Sequence, residues 1–88
     1  MSLKLPPLGS AREFLAENMR ALRAERNWSQ ETLAFETGLH RTFIAHCEAG
    51  SRNISLDNIE KIAYAFKVPM EALFIPSPAG SRKTKIKV

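Results

Sequence analysis

The sequence predicts an all-α, five-helix domain, and three observations predict it. Apolar residues recur three and four positions apart through residues 10–75, with no convincing alternating stretch of the kind a half-buried strand needs. Apolar pairs bracket a capping position at Trp28/Leu33, Leu39/Ile44 and Ile54/Ile59, the staple that fixes how a chain enters a helix. Glycine or proline marks the boundaries at Gly38, Gly50, Pro69 and Pro76.

Taken in order, Met1 to Gly9 carries Pro6, Pro7 and Gly9, a composition that suits a flexible N-terminal arm. The first helix is expected to open at Ser10, whose hydroxyl would cap it, with Glu13 completing a capping box. Phe14, Leu15, Met19 and Leu22 make its apolar stripe, and it should end near Arg26-Asn27. Ser29 caps a second helix running to about Thr37, where Gly38 supplies the positive φ of a tight stop. The third spans about Arg41 to Ala49 and closes at Gly50. Ser55 caps the fourth, with Ile59, Ile62, Ala63 and Phe66 facing inward. Pro69 suits the first turn of a short fifth helix through Phe74. Residues 10–75 thus form one domain, and 76–88 read as a basic, disordered tail.

Eighty-eight residues make one domain at most. A domain of this size buries only about 60% of the surface its unfolded chain exposes, so self-association is a plausible remedy for marginal stability. A single cysteine forms no internal disulfide, and no charged-then-apolar leader or run of about 18 apolar residues is present, so a cytoplasmic protein is expected. The net charge of +4 is local: Arg82, Lys83, Lys85 and Lys87 supply it, and the remaining lysines and arginines balance the acids. Any basic surface on the body must come from how its charges are arranged. The tail itself reads either as a solvated end or as a source of sequence-independent attraction to phosphates.

The stretch GLHRTFIAHCEAGSRN, residues 38–53, gathers two histidines, the cysteine, two arginines and a glutamate. His40, His46 and Cys47 lack the spacing of a zinc site, so no metal is expected. On a wheel of about 100° per residue from Arg41, Ala45, Thr42 and His46 fall at about 40°, 100° and 140°, while Phe43, Cys47 and Ile44 fall at about 200°, 240° and 300°. Cys47 therefore shares the apolar side with Ile44, which argues against a nucleophile. Arg41, Thr42, Ala45 and His46 project outward. Two helices of about eight residues, joined by a glycine-containing turn and ending in such a face, match a helix-turn-helix that lays its second helix in the major groove of DNA.

At this point a family resemblance enters. Arg23 to Gly50 resembles the lambda-repressor-like helix-turn-helix family, which includes phage repressors and many small bacterial regulators, and the likeness extends from about Leu15 to Phe74. Its marks are Leu22-Arg23, Ser29-Gln30, Leu33-Ala34, Gly38, Ile44, Glu48-Ala49-Gly50, Ser55-Leu56, Ile62-Ala63 and Leu73-Phe74. Within it, Arg41-Thr42-Phe43-Ile44 followed by Ser51-Arg52-Asn53-Ile54 is most similar to restriction-modification controller proteins, compact homodimers that regulate transcription. His40, Phe43 and Ala45 depart from the usual pattern of those proteins.

The resemblance implies a sequence-specific regulator of transcription acting on double-stranded DNA. Arg41 would donate to guanine O6 and N7, Thr42 to a base edge or phosphate, and His46 to either, while Ala45 offers only its methyl group. Gln30 and Ser29 at the start of the second helix, with Arg52 and Asn53 after the third, would contact the DNA backbone, and Phe43 could brush it. The resemblance also implies an ion pair between Arg23 and Glu48, with Arg23 free to reach a phosphate as well. One helix-turn-helix reads few base pairs, so a homodimer is expected, with Val68, Met70, Leu73, Phe74 and Ile75 at its interface and its reading helices about 34 Å apart on a pseudo-palindrome. The alternatives are a protein-interaction module or antitoxin on the same fold, and an enzyme. The chain has no paired acid and base, phosphate loop or metal quartet to favour an enzyme, and no cofactor is expected.

Overall fold

The computed structural model describes residues 5–76. Four α-helices follow one another, α1 (Ser10–Arg26), α2 (Gln30–Thr37), α3 (Arg41–Glu48) and α4 (Leu56–Phe66), with no strand among the described residues. In place of the expected fifth helix the chain makes a single 3-10 turn, Met70–Leu73. Its bonds run from Ala72 N to Pro69 O and from Phe74 N to Glu71 O, at 2.9 and 3.0 Å. Pro69 stands before the turn in an extended conformation and Pro76 closes the segment, which leaves too little chain for a stable α-helix. The tail from residue 77 onward and the first four residues lie outside the described residues.

The caps follow from local chemistry. Ser29 and Ser55 have extended backbones, and their hydroxyls accept from Thr32 N at 3.0 Å and Asn58 N at 3.1 Å. The expected cap at Ser10 does not form. Gly9, at φ 91°, occupies the cap position, and Ser10 is the first helical residue. Its hydroxyl donates backwards to Pro7 O at 2.7 Å, in a turn that also joins Ser10 N to Pro7 O. As the first helical residue, Ser10 stands one position too late for its hydroxyl to cap the helix, so the capping box with Glu13 is absent.

All four helices and the final turn contribute to one core. Met19, Leu33, Ile44, Ile62, Phe66 and Leu73 are its fully buried side chains, with Leu15, Ala34, Cys47, Ile59 and Ala63 around them. Helix α3 packs on both α1 and α2, while α4 packs on α2 and on the final turn. Trp28 stacks on Phe66, ring centroids 5.6 Å apart. Arg26 lies 5.2 Å over the same Phe66 ring and donates from Nη2 to Phe66 O at 2.7 Å. The interhelix residue Trp28 and the end of α1 are thereby tied to the end of α4.

Asn18 joins the two ends of the domain. It is buried, and its Nδ2 donates to Phe14 O within α1 and to Leu73 O and Ile75 O of the final segment, at 2.9, 3.0 and 2.9 Å. Those two carbonyls have left the helical ladder and need a donor. Replacing Asn18 with Ala is expected to destabilise the domain by about 1–3 kcal/mol, the cost of stranding buried polar groups. In thermal denaturation this corresponds to a fall of about 4–8 °C in Tm per kcal/mol; an unchanged Tm would contradict it.

Candidate nucleic-acid interface

Helices α2 and α3 are joined by Gly38, Leu39 and His40. Gly38 adopts φ 76° and its amide closes onto Ala34 O at 2.8 Å, while Leu39 N reaches Ala34 O at 3.2 Å. Thr37 reinforces the corner, its Oγ1 donating to Leu33 O at 2.8 Å and accepting from Leu39 N at 3.2 Å. Leu39 then packs against the core. His40 precedes α3 with an extended backbone but its side chain caps nothing. The chain therefore leaves the corner with α3 already fixed in direction by backbone bonds and one buried leucine.

The roll of α3 follows from what it buries. Ile44, Cys47 and Glu48 face inward, Phe43 and Ala45 are half-buried, and Arg41, Thr42 and His46 are exposed. The open side is thus centred on Thr42 and His46. Arg41 lies on the flank toward α2, where its Nε stands 3.9 Å from Glu31 Oε2 in an exposed pair. Four of the residues read from the sequence as one outward face are therefore unequally presented, with Ala45 the least open of them.

Glu48 was expected only as half of a pair, and the structure makes it the junction of three helices. Its side chain is 3% exposed and its carboxylate accepts from Arg23 Nε at 2.6 Å, Arg23 Nη2 at 2.7 Å and Gln30 Nε2 at 3.0 Å. Arg23 also donates from Nη1 to Trp28 O at 2.8 Å, and Arg20 donates to Glu48 O. The hydrogen bonds to Glu48 hold the Arg23 guanidinium proton more tightly than usual, against a smaller opposing effect of burial. Arg23 is thus engaged on two sides. Gln30, the first residue of α2, spends one amide N–H on Glu48 and has a second N–H and its oxygen beyond that bond.

After α3, the chain turns at Gly50, with φ 73°, and Ser51 N and Oγ both bond back to His46 O at 3.2 Å. The Arg52 guanidinium lies 5.1 Å over the Phe43 ring, so the loop and the helix present a cation and an aromatic face together. Asn53 is exposed. Ser29 is exposed too, but its hydroxyl is occupied by Thr32.

Among the residues expected at a subunit interface, Leu73 is wholly buried within one chain, because the final turn drives it between α1 and α4. It is therefore part of the single chain's core. Val68, Met70 and Phe74 are half-buried against the core, and Ile75 is exposed. Cys47 is buried, and burial pushes its thiol above the ordinary range despite the opposing charge of Arg52. His40 and His46 are exposed, and no group of three potential metal ligands gathers among the described residues.

Sequence reasoning passed over Asn18, Arg20 and Arg26. Asn18 had a visible signal, a polar residue set within the stripe Leu15, Met19 and Leu22. The two arginines had none, since each bonds to a backbone carbonyl distant in sequence.

Comparison with known proteins gives concordant results. Residues 19–73 match the family described as helix-turn-helix. The chain is 44% identical over 73 residues to a hypothetical transcription factor of Neisseria meningitidis, covering 83% of this chain and 69% of that protein. It is 44% identical over 75 residues to control protein C.BamHI of Bacillus amyloliquefaciens, covering 84% and 93% of the two chains. Among solved structures it resembles the restriction-modification controller protein C.AhdI from Aeromonas hydrophila, with a TM-score of 0.69, 41% identity, and coverage of 72% and 96%.

The Glu48 junction has a measurable consequence. Glu48→Ala strands the Arg23 guanidinium and is expected to cost about 3–5 kcal/mol, whereas Arg23→Met combined with Glu48→Met recovers most of that loss, because two apolar side chains leave no buried charge behind. Urea unfolding of the three proteins checks both statements.

Proposed function

The chain belongs to the helix-turn-helix family, and from that premise we propose that it is a sequence-specific regulator of transcription that binds double-stranded DNA as a homodimer, of the kind that controls restriction-modification genes. The observation that carries this reading is the two-sidedness of α3: Ile44, Cys47 and Glu48 are anchored inside, while Arg41, Thr42 and His46 are left uncovered. The similarity to C.BamHI and C.AhdI supports the controller assignment.

In this reading α3 lies in the major groove. Arg41 donates to guanine O6 and N7 from the first turn of the helix, Thr42 and His46 meet base edges or phosphates one turn apart, and Ala45 approaches a thymine methyl. Gln30 contacts a phosphate with the hydrogen-bonding capacity that Glu48 leaves free, assisted by backbone amides at the start of α2. Arg52 and Asn53 follow the backbone on the other side of α3, with the Phe43 ring beneath the Arg52 guanidinium. Ser29 and Arg23, both committed to bonds within the protein, contribute by position to the same backbone contacts.

The second subunit joins through Val68, Met70, Phe74 and Ile75, the partly covered apolar residues around the final turn. Leu73 supports them from the core. A two-fold arrangement sets the two copies of α3 about one helical turn of DNA apart, about 34 Å, which matches a pseudo-palindromic operator.

Arg41→Ala is expected to reduce discrimination against the wrong base at one position of each half-site by about 1–3 kcal/mol while leaving the fold intact. Selection of bound sites from random DNA with both proteins checks it, and an unchanged base preference would remove α3 from the groove. Sedimentation is expected to find two chains on each operator; a single chain per bound site would overturn the dimer.

A further inference from the structure

A second surface lies between α2 and α4. An open groove of about 550 Å³ is lined by Glu36 and Thr37 of α2 and by Asp57, Glu60, Lys61 and Tyr64 of α4. Tyr64 is 85% exposed, although it sits in the middle of a helix that buries Ile62, Ala63 and Phe66. Glu36, Asp57 and Glu60 take part in no ion pair among the described residues. With three carboxylates against the single cation Lys61, a groove that also exposes an aromatic ring repels phosphate and attracts a chain carrying both cations and apolar side chains.

We propose that this groove holds the chain's own C-terminal segment, residues 82–88. The segment RKTKIKV carries Arg82, Lys83, Lys85 and Lys87 without an acid. It also interleaves Ile86 and Val88 with the last lysines, and those apolar side chains have no role on a phosphate backbone but bury against a tyrosine ring. The five residues 77–81 link this segment to Pro76 and reach about 20 Å when extended. Exposed ion pairs are individually weak. Tethering compensates, because a segment of the same chain is held near the groove at an effective concentration of order millimolar. Docked in this way, the four cations are withheld from non-specific DNA.

This inference is independent of the operator-binding reading, and its test uses no DNA. A photoreactive benzoylphenylalanine in place of Tyr64 in the full chain is irradiated, and the products are mapped by mass. The expected product joins position 64 to residues 82–88 of the same chain. Its yield falls about fivefold or more when Lys83, Lys85 and Lys87 are changed to Gln, or in 1 M NaCl, where the screening length is about 3 Å. Tyr64 is the chain's one tyrosine, so its ring resonances give a second readout in the native sequence and should shift on the same three substitutions. A product on another segment or on a second copy, or tyrosine resonances unmoved by the substitutions, overturns the proposal.

Discussion

A carboxylate removed from water governs the geometry of this protein. Glu48 closes α3 inside the molecule, and a buried charge costs several kcal/mol unless it is matched by a cation and by hydrogen bonds. Arg23 from α1 supplies the cation in a two-bond fork, and Gln30 from α2 supplies a further donor. Three helices are thereby fixed to one side chain. Ile44 and Cys47 give α3 an apolar underside, but apolar contact tolerates some rotation, whereas the fork between Arg23 and Glu48 tolerates little. The exposure of Arg41, Thr42 and His46 is the other side of that constraint.

The same junction prepares the neighbouring positions. Gln30 is oriented by Glu48, so the phosphate contact proposed for its remaining groups would cost less side-chain freedom. Arg52, resting on Phe43, is restrained in a similar way by an aromatic face. Arg41 is held least, near Glu31 in an exposed and therefore weak pair. A rigid base with an adaptable arginine at the leading edge suits the DNA-reading role proposed for this face.

Charge is divided over the body rather than spread evenly. Residues 10–75 hold eight bases and nine acids, yet the α2–α4 groove gathers three carboxylates and one lysine beside Tyr64, while Arg41 and Arg52 flank the open side of α3. Such segregation gives a nearly neutral domain local fields of opposite sign. Its stability rests elsewhere: on the core shared by all four helices, on Asn18 between the two ends, and on the Trp28–Phe66 stack with Arg26 over the same ring.

The four α-helices, the corner at Gly38 and the inward side of α3 follow from the order of residues alone, because these depend on periodicity, capping and backbone freedom, all of which act over a few residues. The caps at Ser29 and Ser55 were legible for that reason, and the membership of Ile44, Cys47, Ile62 and Phe66 in the core followed from helical spacing. Tertiary structure decided what local rules leave open. Ser10 gave its hydroxyl to Pro7, Pro69 and Pro76 reduced the final helix to a 3-10 turn, and Leu73 was drawn wholly into the core. Asn18, Arg20 and Arg26 found carbonyls 55, 28 and 40 residues away. A hydrogen-bond partner that far along the chain is selected by the packing of whole helices, and no spacing within one helix encodes it.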